Sequence, residues 1–258
     1  MEHAKNYVAP DMVATATEPI DGTPVTNATV SGPVYGNWAG YAINASANDN
    51  VTYNAVSASW VVPTVQGNPS YPESDDYTNA PTIADWVGAG GNPSYPLFQS
   101  GTISIATTTP KYWFFTEYAP DQGPQRNSAL TVTGGDTAFM DESYDSSEEE
   151  ITYYEENETT DTYSSVLYRT SAWNGTSAEF EAERPSGNTQ PIPDFGSTTF
   201  TGCEAFWDNG SGGSDGGNIA GLNVEEDVMG TSASNEWVAP GSIDGSTWGF
   251  TDSWISGD

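Results

Sequence analysis

Ala178-Glu179-Phe180-Glu181-Ala182-Glu183-Arg184-Pro185 alternates small or aromatic residues with glutamates and stops at a proline. Side chains of a strand point to opposite faces in turn, so Glu179, Glu181 and Glu183 share one face while Phe180 and Ala182 share the other. A repeat of two excludes an amphipathic helix, whose apolar positions recur every three to four residues. The same texture runs outward in both directions. Short runs rich in Val, Ile, Thr, Tyr, Phe and Trp are broken by Gly, Pro, Asn and Asp, and helical periodicity is nearly absent. Strands are predicted over Gly36–Ile43, Ala55–Val61, Ile83–Gly88, Leu97–Ala106, Lys111–Tyr118, Ala129–Asp136, Thr137–Tyr144, Glu149–Glu155, Ser164–Tyr168, Ser177–Glu183 and Ser197–Phe206, with two more near Thr247–Phe250 and Ser253–Ile255. Many short strands with turn signals between them predict an all-β sandwich or barrel.

The chain of 258 residues is long enough to bury a sizeable core. It carries 36 Asp+Glu against 5 Lys+Arg, a formal charge of -31 at pH 7. With 9 Trp, 14 Tyr and 9 Phe it is too aromatic for a disordered acidic chain, so the charge belongs to a folded surface. Scarce lysine on such a surface predicts adaptation to high salt, where screening removes self-repulsion. With no basic patch, nucleic acid is not an expected partner. No apolar run reaches membrane-spanning length, so membrane insertion is not expected either. Residues 1–33 lack a clear period and read as an extended arm or the remnant of a pro-region, and no signal peptide is visible in them; residues 34–258 read as one β-sandwich domain. Sequons at Asn27, Asn44, Asn50, Asn157, Asn174 and Asn209 lean towards a secreted, extracellular protein, and a monomer is expected.

Common catalytic machinery is missing. His3, at the terminus, is the only histidine and Cys203 the only cysteine. A Ser-His-Asp triad, a Cys-His pair and a histidine zinc site all need a histidine inside the fold. Chemistry is left to carboxylates, amides, hydroxyls or a hard metal ion. The three glutamates of residues 179–183 are spaced so that simultaneous ionisation is disfavoured and at least one pKa is raised. Read alone, they also fit an acidic outer strand. Gln99 stands in Pro96-Leu97-Phe98-Gln99-Ser100-Gly101, where an amide can serve as a neutral hydrogen-bond donor to a developing oxyanion. The run from Asp141 to Asp161 reads as a solvated acidic hairpin and Asp208–Asn218 as a flexible surface loop. Gly67-Asn68-Pro69-Ser70-Tyr71-Pro72 recurs as Gly91-Asn92-Pro93-Ser94-Tyr95-Pro96 and reads as two similar turns.

Together these segments resemble the glutamic peptidases, the eqolisin family. In order along the chain, Asn37-Trp38-Ala39-Gly40-Tyr41, Val56-Ser57-Ala58-Ser59-Trp60-Val61-Val62-Pro63, Trp86-Val87-Gly88, Phe98-Gln99-Ser100-Gly101, Phe115-Thr116-Glu117-Tyr118-Ala119-Pro120, Ala178–Glu183 and Pro193-Asp194-Phe195-Gly196 are similar to the family's motifs. The resemblance implies a sandwich of two antiparallel sheets, a concanavalin A-like jelly roll. It also implies acid-type endopeptidase activity on protein or peptide substrates without a cofactor or metal. Gln99 and Glu183 fall on the family's catalytic positions, and Trp38, Trp86 and Glu117 on positions that line its cleft. Water would attack the peptide bond directly, with Glu183 as acid and base and Gln99 at the oxyanion. Three positions depart from the pattern. Ala89-Gly90-Gly91 replaces a hydrophobic residue, Asp and Gly; Thr116 replaces a Tyr; Glu181 replaces an apolar residue. The competing reading is a carbohydrate-binding or glycoside-hydrolase sandwich that uses Glu179, Glu181 and Glu183, since paired carboxylates ~5–9.5 Å apart cleave glycosidic bonds. That reading gives Gln99 no role. A third is a binding domain without activity.

Overall fold

The computed structural model describes residues 30–208 and 214–256. These form sixteen strands and one 3-10 turn at Ala45–Ala47. The strands are β1 (Val34–Gly36), β2 (Trp38–Asn44), β3 (Tyr53–Val61), β4 (Thr82–Gly90), β5 (Leu97–Ile105), β6 (Lys111–Ala119), β7 (Gln122–Arg126) and β8 (Thr137–Asp145). They continue as β9 (Glu150–Asn157), β10 (Thr162–Arg169), β11 (Ser177–Glu183), β12 (Ser197–Asp208), β13 (Ser214–Asn218), β14 (Glu225–Ser232), β15 (Asn235–Pro240) and β16 (Phe250–Trp254).

Hydrogen bonding runs in the order β10-β9-β8-β3-β12-β16-β15-β14-β2-β11-β4-β5-β6-β7. All these neighbours are antiparallel; β13 adds a hairpin to β12, and β1 pairs in parallel with β14. The ladder doubles over, so that β3 packs on β4 and β11, and β8 and β9 pack on β5. The result is the two-layered β-sandwich that the sequence led us to expect.

Phe98, Phe114, Tyr118 and Phe180 from one layer meet Trp60, Met140, Tyr153 and Phe200 from the other in the central core. Burying each such side chain contributes on the order of 1.5–3 kcal/mol. On the opposite face of β4, β5 and β6, Ala84, Trp86, Ile103, Trp113 and Phe115 form a second apolar cluster. These strands are therefore covered on both sides, and every residue of β4 and β5 is buried. The second cluster is the floor of a cleft.

Several sequence expectations need correction. Ala129–Asp136 is not a strand. Leu130 and Val132 do turn inward, in the expected alternation, but the segment forms no ladder: the Val62 backbone bonds its end at Gly135 and Asp136, and side chains hold its start. Asn127 Oδ1 accepts from Ala129 N, and Asn157 Nδ2 donates to the Thr131 carbonyl. The neighbouring strand is β7, a polar segment containing Pro124, which an edge position tolerates. Part of the expected Asp208–Asn218 loop is strand β13; residues 209–213 lie outside the described residues. The two short strands near residue 250 are one, β16, and β14 and β15 were not expected at all.

The acidic hairpin is only half solvated. Its turn is exposed around Ser146–Glu149, yet Glu142 and Glu155 are fully buried, because they occupy inward positions of β8 and β9. Nor is β11 an outer strand: it lies between β2 and β4. The expected arm falls largely on residues 1–29, outside the described residues.

Candidate active site

Five adjacent strands, in the order β2-β11-β4-β5-β6, build one cleft. In register, Glu183 on β11 stands opposite Trp38 on β2 and Ala84 on β4. Gln99 on β5 stands opposite Gly88 on β4 and Glu117 on β6. Alternation puts all of these on the same face, and Asn37, Trp38, Gln99, Glu117 and Glu183 line the same cavity.

Two glycines make room for this. A Cβ on Gly101 would lie 2.1 Å from the Asp85 carbonyl oxygen and 2.7 Å from Trp86 Cβ. A Cβ on Gly88 would lie 2.9 Å from Trp86 Cζ3 and 3.1 Å from Gln99 Cβ. The bare backbone at these two positions forms the slot that holds the Trp86 ring beside Gln99. Trp86 itself is fully buried. It supports Trp38, whose ring meets it edge to face at 5.1 Å, and Trp38 reaches the cleft.

Gln99 Nε2 donates to Glu117 Oε2 at 2.8 Å, while Gln99 Oε1 is buried without a protein partner. Burial pushes Glu117 up to about 7, against the pull of the Gln99 amide. Glu183 is 8% exposed. Burial first, and the Glu117 charge second, push it up to about 8; contacts with the Trp86 and Trp38 indoles and the Asn37 amide pull the other way. The cleft thus holds two carboxyls that oppose each other's ionisation, with a neutral amide bound to one of them. Such a site can take up and release one proton and can donate a hydrogen bond at any pH.

Glu179 and Glu181 do not reach the cleft. Both are 0% exposed, and burial raises both well above the usual carboxylate range. A glycosidase built on Glu179, Glu181 and Glu183 would need two groups that a sugar cannot touch. Asn37, Tyr77 and Tyr95 also line the cleft, a role that their sequence context does not predict. The only sequence signal was the adjacency of Asn37 to Trp38 and, for Tyr95, its place in the repeated hexapeptide. Among the described residues no group of three or more His, Cys, Asp or Glu is placed to hold a metal ion.

This combination defines an all-β protein with a carboxyl and an amide facing one cleft. A family model of the Peptidase A4 family matches residues 36–238. The chain belongs to that family, the glutamic peptidases, and is a glutamic endopeptidase. Comparison with curated protein sequences gives no match. Among solved structures, scytalido-glutamic peptidase with a transition state analog inhibitor superposes with a TM-score of 0.65 at 18% identity, covering 85% of this chain and 98% of that one. Aspergilloglutamic peptidase from Aspergillus niger superposes with a TM-score of 0.55 at 21% identity, covering 68% of this chain and 99% of that one. At these identities the likeness is one of fold.

Proposed function

We propose that the protein cleaves peptide bonds by direct attack of water, with Gln99 and Glu183 as the catalytic pair. The observation that carries this reading is that both side chains, from separate strands, line one cleft beside Glu117. In its ionised form Glu183 accepts a proton from water as the water adds to the carbonyl carbon. The second hydrogen on Gln99 Nε2 stabilises the oxyanion, and protonated Glu183 then donates to the leaving amine. A raised pKa makes the Glu183 carboxylate a stronger base and sets its working range above that of an ordinary glutamate. Trp38 and Glu117 line the substrate channel, with Trp86 as its support. Residues 34–258 act as the peptidase domain, and residues 1–33 as an arm or pro-region remnant. Secretion belongs to the same proposal.

The test is cleavage of denatured protein across pH. One oxyanion donor is worth about 10²–10³ in rate, so Gln99→Ala should lose that much with its melting unchanged, and Glu183→Gln should be inactive. Chelators and serine or cysteine reagents should leave the wild type active. Retained activity in Gln99→Ala, or cleavage of β-glucans in place of protein, would overturn the reading.

A further inference from the structure

Asn37 sits in the bend between β1 and β2, at the end of the β2–β11 ladder. Its carbonyl accepts from Arg184 N at 2.9 Å, which extends the ladder by one bond. Its side chain turns back onto the same partner strand. Nδ2 donates to Glu183 Oε1 at 2.9 Å and to the Arg184 carbonyl at 3.3 Å. Both neighbours of this amide nitrogen are acceptors, so the orientation of the amide is fixed: with oxygen in that place, two acceptor pairs would face each other. Backbone and side chain of one residue thus clamp the end of β11 that carries the catalytic carboxyl.

We propose that Asn37 is a positioning residue that holds Glu183 by Oε1 and so reserves Oε2 as the oxygen that exchanges protons. This rests on the reading of Glu183 as the acid and base of the reaction. The step balances on one oxygen. The attacking water adds to the carbonyl carbon and its proton passes to Oε2; the C–N bond breaks and that proton passes from Oε2 to the amine nitrogen. An amide is the suitable clamp because it carries no charge and donates at every pH. The titratable groups around Glu183 do not offer this. Glu117 faces it from β6, Tyr77 from the β3–β4 loop, and Glu181 lies next along the same face of β11. The neighbouring Arg184 holds its guanidinium 4.4 Å over the Trp237 ring.

The experiment compares Asn37→Leu, Asn37→Asp and Glu183→Gln with wild type, reading kcat and KM across pH and thermal melting. Loss of a hydrogen bond to a charged group predicts that Asn37→Leu lowers kcat about 10- to 100-fold with KM unchanged. Its acid limb should move to higher pH, because the lost N–H donor favoured the carboxylate. In Asn37→Asp the new carboxyl donates only while protonated, so activity should persist at the low end of the profile and fall as the pH rises. Wild-type kcat and pH profile in Asn37→Leu would overturn the proposal, and so would a change in KM alone, which would make Asn37 a substrate contact. If Asn37→Leu does not fold, Asn37→Asp decides, and a profile that tracks wild type overturns the proposal. Activity in Glu183→Gln would instead remove the underlying catalytic reading; an inactive Glu183→Gln beside a fully active Asn37→Leu would remove only this inference.

Discussion

The Gln99 amide and the Glu117 carboxyl are directly opposite each other on β5 and β6 and are joined by a 2.8 Å hydrogen bond from Nε2 to Oε2. Because a carboxyl oxygen receives the nitrogen, the Gln99 amide is held with Oε1 on the other side, buried and free of protein partners. Glu117 is also the charge that raises Glu183. One residue therefore orients the Gln99 amide and helps to raise the Glu183 carboxyl.

Glu117→Gln separates these two effects. The new amide can still accept from Gln99, but it cannot carry charge. Glu183 loses a repulsive neighbour, so its pKa falls. The acid limb of kcat/KM should move to lower pH, by less than the whole displacement of Glu183, since burial is the larger cause. An unmoved or upward-moving limb would show that the two carboxyls are not coupled.

Stability should fall as the pH rises from acid to neutral. Among the described residues eight carboxyls are buried: Asp85, Glu142, Glu155, Glu179, Glu181, Glu183, Asp227 and Asp252. Burial raises each of them, Asp85, Glu155 and Asp227 to about 7 and Glu183 to about 8. Unfolded, such groups titrate near ~4. Between those values the folded chain holds protons that the unfolded chain has released, so stability is full below about pH 4 and is lost as pH climbs through the folded values. Glu73, Asp76, Asp145 and Asp244, whose pKa values are lowered by hydrogen bonds, act in the opposite sense, but they lie at the exposed surface. Melting curves at pH 3, 5 and 7 should show a falling Tm. Glu142→Gln should flatten that fall, and a Tm that rises with pH would contradict the account.

The strands that line the cleft were legible in sequence because they obey simple rules. Glu179, Glu181 and Glu183 alternate with Ala178, Phe180 and Ala182, and β11 follows that pattern without a break. Their solvent exposure was not legible. A glutamate facing solvent and one facing a cleft floor look the same in a period of two, and only the neighbours β2 and β4 decide between them. Glu142 and Glu155 misled for the same reason, hidden in an acidic run whose turn really is solvated. Leu130 and Val132 gave the right burial without a ladder, since alternation reports faces and not hydrogen-bond partners. In β14 and β15, register shifts around Gly230 break the alternation that a reader would follow. Asn37 was visible as a letter in a motif, but its two contacts with Glu183 and Arg184 depend on the fold.

Gly101→Ala should damage the site from behind. Its Cβ would sit 2.1 Å from a backbone oxygen and 2.8 Å from Trp86 Cα, atoms that cannot swing aside. Overpacking of this kind costs about 1–3 kcal/mol, and the strain moves Trp86, which lies against Trp38 and close to Gln99. Both Tm and kcat should drop. Gly123→Ala is the control, because a Cβ there meets nothing within 4 Å. Equal stability and activity in the two variants would show that the slot at Gly101 is not needed.

The -31 formal charge against only 5 Lys+Arg predicts a steep gain of stability with salt at neutral pH. Three of those cations, Lys111, Arg126 and Arg169, are paired with Glu73, Asp75 and Glu150 at the surface. Such pairs are each worth about 0–1 kcal/mol, too little to offset repulsion among the remaining carboxylates. The Debye length falls from ~30 Å at 0.01 M to ~3 Å at 1 M salt, so Tm at pH 7 should rise across that range. Protonation removes the same repulsion by another route. Near pH 3 most carboxylates are neutral and few cations exist to replace them, so the salt dependence of Tm should shrink there. A grid of melts over salt and pH distinguishes the two. A gain with salt that is large at pH 7 and small at pH 3 fits a surface whose instability is carboxylate repulsion. A Tm insensitive to salt at pH 7 would remove the salt-adaptation reading and leave the buried carboxyls as the source of any pH dependence.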